Sequence, residues 1–120
     1  MKTKTRTIPK NFRIPDVEKI KLIVADEFGV TVADIDGWNK EVPLPSIRHV
    51  AMNFSRELVP TCAASLPKTA RAFGRSNQMT ILHAVRATEA RCENNSGFGL
   101  KVHALRLRIK EALEAPRRAP

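Results

Sequence analysis

Asn77, Gln78 and Met79 stand in a row where a polar turn gives way to an amphipathic run. The amide of Asn or Gln pairs bidentately with N6 and N7 of adenine, and an apolar side chain such as Met79 can touch a thymine methyl. Asn77 has a second use open to it, as the cap of the helix that follows. The stretch around them, SLPKTARAFGRSNQMTILHAVRATEAR at 65–91, carries Lys68, Arg71, Arg75, Arg86 and Arg91 against the single acid Glu89. Lys and Arg are the usual phosphate-binding side chains, and a Ser hydroxyl can add to them. Lys68, Arg71, Arg75 and Ser76, with Arg48 and Arg56 from an earlier segment, are therefore the candidate phosphate contacts.

The elements that must carry these residues can be read from periodicity and punctuation. Asp16 to Phe28 reads as a helix with Val17, Ile20, Val24 and Phe28 on one face, Asp16 as its cap and Gly29 as its stop. Thr31 opens a short helical turn, VADI, and GWNKEVPLP at 37–45 reads as a loop. A helix from Ser46, taken as its cap, to Leu58 has the stripe Ile47, Val50, Ala51, Phe54 and Leu58, and Pro60 ends it. Ser65 then caps a short helix that tolerates Pro67 in its first turn and stops at Phe73-Gly74. A turn and a longer helix follow, so residues 65–92 have the shape of a helix-turn-helix, whose second helix enters the major groove of DNA. NNSGFG at 94–99 reads as a loop, and a last helix from Leu100 to Ala115 carries Val102, Leu105, Ile109, Ala112 and Leu113 before Pro116. The expected fold is all-α: a compact domain over 16–115 with five principal helices and one short helical turn. A flexible basic arm precedes it over 1–15, and a tail follows over 116–120.

Charge supports a polyanionic partner. The 120 residues carry 21 Lys and Arg against 12 Asp and Glu, a formal charge of +9. The excess is uneven: 16–41 is acidic, whereas 1–15, 42–92 and 93–120 are basic. No apolar run is long enough for a bilayer, and the basic N-terminus lacks the apolar core of a signal peptide. Cys62 and Cys92 read as buried thiols in a reducing cytoplasm, and the scattered His49, His83 and His103 give no metal-ligand spacing. His83, inside the apolar LHAV run, reads as a packed structural histidine, and Trp38 as a ring on the edge of the core. No nucleophile, base and oxyanion site assemble, so no enzyme, cofactor, metal or small-molecule substrate is expected.

VADEFGVTVADI at 24–35, RHVAMNFSREL at 48–58, SLPKTARAFG at 65–74 and TILHAVRATEA at 80–90 resemble, in this order, the C-terminal DNA-binding domain (domain IV) of the bacterial replication initiator DnaA. The similarity extends from about Val17 to Arg91. It implies packed helices with a Trp-repressor-like helix-turn-helix and double-stranded DNA as the partner, in the cytoplasm or nucleoid of a bacterium or on a phage or mobile element. It also implies that Lys40 takes the place of an arginine inserted into the minor groove. Arg48 and His49 match an Arg-Gln pair that contacts DNA, Arg56 matches a phosphate contact, and Thr80 matches the second threonine of the family signature.

The departures are specific. Arg75, Ser76, Asn77, Gln78 and Met79 replace the family's Gly-Arg-Asp-His-Thr, and the basic loop keeps only Lys40, beside Glu41 and near Asp36. Ala70 replaces a glycine, and residues are inserted between Leu58 and Ser65. No Walker A sequence occurs in the chain, so the resemblance implies a domain standing alone, with neither the ATPase nor the oligomerisation module. Two functions compete. One is a small regulator of transcription or replication initiation with an altered sequence preference. The other is a protein-interaction adaptor for the initiator or its regulators, binding replication-initiation proteins with weak or no specific DNA binding. Attachment to a membrane surface is a distant third.

Overall fold

A computed structural model describes residues 12–114. Among these residues seven helices follow one another: α1 (Pro15–Phe28), α2 (Val32–Asp36), α3 (Leu44–Leu58), α4 (Pro60–Ala64), α5 (Leu66–Ala72), α6 (Met79–Asn94) and α7 (Ser96–Glu114). No strand occurs among the described residues, and the fold is all-α. The apolar stripes do what their spacing demands. Val17, Ile20 and Val24 of α1, Ile47, Val50, Ala51 and Phe54 of α3, Ile81 and Ala84 of α6, and Val102, Leu105 and Ile109 of α7 form one core. The central α3 packs against α1 and α6, and α7 closes across α6 and α1.

Several boundaries differ from the sequence reading. The body of the domain begins before Asp16: Ile14 is buried and Phe12 packs on the core, although both fall in the segment read as an arm. The rest of that arm, 1–11, and the tail lie outside the described residues. Asp16 sits in the first turn of α1 rather than capping it; Ile14 holds the cap position without a side-chain bond. Ser46 likewise lies inside α3, which starts at Leu44 after a cis Val42–Pro43 bond. Pro60 ends α3 and also opens α4, a single turn that periodicity did not disclose. At the other end, 96–99 belongs to α7 rather than to a loop. Asn95 Oδ1 accepts the Phe98 N–H at 2.9 Å and starts the helix. A Cβ on Gly99 would stand 3.2 Å from the Cys92 carbonyl oxygen, so this glycine allows α7 to turn closely over the end of α6.

Other local expectations agree with the structure. Gly29 adopts the left-handed conformation that ends α1, with φ of 69°. Thr31 and Asp34 form a reciprocal capping box on α2. Ser65 accepts the Lys68 N–H as the cap of α5. Cys62 and Cys92 are both free; Cys62 is buried as expected but Cys92 only half-buried, and burial raises both thiol pKa values above the ordinary one.

Candidate nucleic-acid interface

The turn between α5 and α6 is built by backbone geometry. Gly74 has φ of 73°; its N–H reaches Arg71 O at 2.9 Å and the Arg75 N–H reaches Ala70 O at 2.9 Å. These paired bonds satisfy the last carbonyls of α5 and throw the chain outward. The next residues, Ser76, Asn77, Gln78 and Met79, are all exposed, and Thr80 is half-buried. Asn77 Oδ1 accepts the Met79 N–H at 2.9 Å, so its amide oxygen is spent on starting α6. Gln78 carries no side-chain bond to the helix start. Its amide is free to face a partner. Met79, His83 and Arg86 follow at helical spacing, all exposed, and extend this face along α6.

Lys68 is exposed on the first turn of α5, and Arg71 is half-buried on its last. Neither these two nor Arg86 has a carboxylate partner among the described residues. The exposed Lys40 is also unpaired among the described residues. His49 of α3 meets His83 of α6 edge-on, with ring centroids 5.3 Å apart. Burial lowers the His49 pKa, and the nearby His83, Arg91 and Arg48 lower it further. His83 is exposed, not the packed histidine its apolar neighbours suggested.

Three of the expected phosphate contacts are turned to other work. Arg75 is buried; Nη1 donates to Asp36 O at 3.0 Å and Phe73 O at 2.9 Å, and Nη2 donates to Gly37 O at 2.6 Å. Burial, then the charge of Arg48, lowers its pKa, while Asp36 opposes the shift; a guanidinium stays protonated all the same. Arg48 is also buried, with Nε on Asp34 O at 3.0 Å and Nη1 on Asn39 O at 2.6 Å. Arg56 caps the end of α4 through Nη1 on Cys62 O and Ala63 O at 2.6 and 2.7 Å. The planar fork of a guanidinium can satisfy several carbonyls at once, which a short irregular segment needs. Arg48 and Arg75 are thus occupied inside the domain, whereas Arg56 is half-buried and spends only Nη1 on these carbonyls.

Lys21 is a positioning residue that sequence reasoning missed. It is fully buried, with Nζ 2.7 Å from Ala72 O at the end of α5, 2.7 Å from Asp36 and 2.9 Å from Glu18, and it lies over the Phe73 ring. It ties α1 to the helix-turn-helix. Its place one turn after Val17 put it beside the apolar stripe, but nothing local marked the carbonyl it reaches. Trp38 also departs from expectation: the residue is 68% exposed and its ring stacks on Arg75, whose Cζ is 3.9 Å from the ring centroid.

Comparison with known proteins agrees with this architecture. A family described as the bacterial dnaA protein helix-turn-helix matches residues 17–87. The chain belongs to this family. It is 33% identical over 107 residues to the chromosomal replication initiator protein DnaA of Oenococcus oeni, covering 88% of this chain and 22% of that protein. Against the initiator of Wolbachia pipientis wMel the identity is 30% over 100 residues, covering 83% and 21%. Against that of Rhodopseudomonas palustris it is 28% over 103 residues, covering 86% and 20%. The chain thus spans about a fifth of the length of these relatives. Membership in this helix-turn-helix family implies DNA binding. No described helix is long and apolar enough to cross a membrane.

Proposed function

We propose that the chain binds double-stranded DNA by setting the first turn of α6 into the major groove. It would act as a small regulator of transcription or of replication initiation with its own sequence preference. Gln78, Met79 and Thr80 face base edges, with the free NH2 of Asn77 beside them. Lys68, Arg71, Ser76 and Arg86 neutralise or hydrogen-bond the flanking phosphates, with His49 and His83 at the seam between α3 and α6. Lys40 adds a weaker contact from the loop before α3, because an ammonium is strongly hydrated and Glu41 adjoins it. The observation that carries this reading is the exposed run from Ser76 to Met79 flanked by cations that have no carboxylate partner among the described residues. Gln78 and Met79 in place of the initiator's readers support a different site rather than loss of binding. Selection of duplexes from a random pool at two salt concentrations tests it. An enriched motif supports a specific regulator, salt-sensitive retention without a motif supports a nonspecific module, and no retention rejects DNA binding.

The second reading is an adaptor that meets replication-initiation proteins. The 88% exposure of Val42, next to Glu41, favours it. Recovery of a replication protein on the immobilised chain, with no duplex held at moderate salt, would establish this reading in place of the first.

A further inference from the structure

The loop joining α2 to α3 holds a large aromatic ring in the open, and the loop is anchored on both sides. Arg48 binds the carbonyls of Asp34 and Asn39, Arg75 binds those of Asp36 and Gly37, and Asn39 Oδ1 accepts the Glu41 N–H at 2.8 Å. Two buried guanidinium groups therefore fix the backbone on either side of Trp38. Arg75 then covers one region of the indole at 3.9 Å, while 68% of the residue remains in solvent. An exposed tryptophan loses hydrophobic stabilisation, and one held rigid has already lost part of the side-chain entropy that binding would cost. Such a ring is prepared for a partner. Its neighbours indicate the partner's chemistry: Lys40 is two residues on, and Arg75 directly precedes Ser76 and the exposed turn. The indole therefore belongs to the same loop as Lys40, to which we assign a duplex contact.

We infer that Trp38 is a DNA contact, packing its free face against deoxyribose in the backbone that the Lys40 loop approaches. This inference rests on the proposed duplex binding and adds an apolar, charge-independent contact to it. The bases of an intact duplex are already stacked on one another, and the deoxyribose is the same at every nucleotide, so an indole packed on the sugar carries no sequence information. Trp38 would therefore add affinity more than selectivity. Arg75 acts through it, as the support that sets the ring's orientation.

Trp38 is the sole tryptophan of the chain, so its fluorescence reports on this contact directly. A fluorescein-labelled duplex is titrated into the native chain at low salt, with anisotropy following the DNA and indole emission following Trp38. The expected result is quenched emission and reduced access to acrylamide, in step with the rise in anisotropy. Trp38→Ala should weaken duplex affinity roughly tenfold, the loss expected for uncovering about half of an indole's apolar surface, while Trp38→Phe keeps most of it. Removing an apolar side chain releases no counterions, so the slope of log affinity against log salt should stay the same in Trp38→Ala. Its urea midpoint confirms the fold, and the native-chain titration does not depend on that variant. Full anisotropy change with unaltered emission and acrylamide access overturns the inference and leaves duplex binding standing. No anisotropy change at any salt overturns both.

Discussion

Two stretches of this chain are rich in Lys and Arg, and the fold treats them in opposite ways. On α7, Arg106 pairs with Glu57 at 2.7 Å, Arg108 with Asp26 at 3.0 Å and Glu27 at 3.4 Å, and Lys101 with Glu27 at 3.9 Å. These charges are answered from within the domain by acids on α1 and α3. On α5 and α6, Lys68, Arg71 and Arg86 meet no acid among the described residues. Three of the four Lys and Arg of α7 are thus paired, Lys110 being the exception, whereas Lys68, Arg71 and Arg86 stay unpaired among the described residues. A net charge of +9 alone would not have distinguished the two. The comparison also explains why a count of basic residues overstates a binding surface: some cations stabilise the domain and others are left for a partner.

The largest effect should come from an arginine that looks like a surface residue and is not. Arg75→Ala strands carbonyls of Phe73, Asp36 and Gly37 and should cost about 3 kcal/mol in urea unfolding, since bonds from charged donors are each worth roughly 1.5–3 kcal/mol. Arg86→Ala should stay within about 0.5 kcal/mol of the native chain in the same assay. Equal effects of the two would erase the distinction between supporting and free cations. Next comes Gln78→Ala, expected to lose about 1–3 kcal/mol of discrimination at one base pair in a binding-site selection, with unfolding unchanged.

A pH titration sharpens the seam between α3 and α6. The His49 pKa is lowered in the folded domain, first by burial and then by the cations around it. The unfolded chain then binds the proton more readily, so stability is full above the ordinary histidine pKa and falls as pH drops below it. His49→Gln should flatten the urea midpoint between pH 7 and 5; an unchanged pH dependence would remove His49 as its cause. The smallest effect belongs to α7. Arg106→Ala breaks a partly exposed pair and should cost about 0.2–1 kcal/mol of stability, with duplex affinity unaltered.

How far the sequence carried these conclusions depends on the range of the forces involved. The helices α1, α3, α5 and α6 were legible because apolar spacing, Ser65 and the glycines at 29 and 74 act within a turn or two. The exposed run at 76–79 was legible for the same reason. The fates of Arg48, Arg75 and Lys21 were not, because the carbonyls that bury them belong to other elements: Asp34 and Asn39, Asp36 and Gly37, and Ala72. A long cationic side chain looks the same in sequence whether it reaches water or a distant backbone oxygen. Trp38 departs in the opposite direction, since burial is the ordinary fate of an indole and here it stands exposed on a loop whose backbone Arg48 and Arg75 hold.

The central claim is that the unpaired cations of α5 and α6, and not the paired ones of α7, meet the phosphate backbone. It is tested most directly by the salt dependence of duplex affinity in two triple variants. In Lys68→Ala, Arg71→Ala, Arg86→Ala the slope of log affinity against log salt should fall by roughly 2–3, at about 0.9 for each phosphate left without its cation. In Lys101→Ala, Arg106→Ala, Arg108→Ala the slope should match that of the native chain. A native slope in the first variant, with a reduced one in the second, would contradict the account.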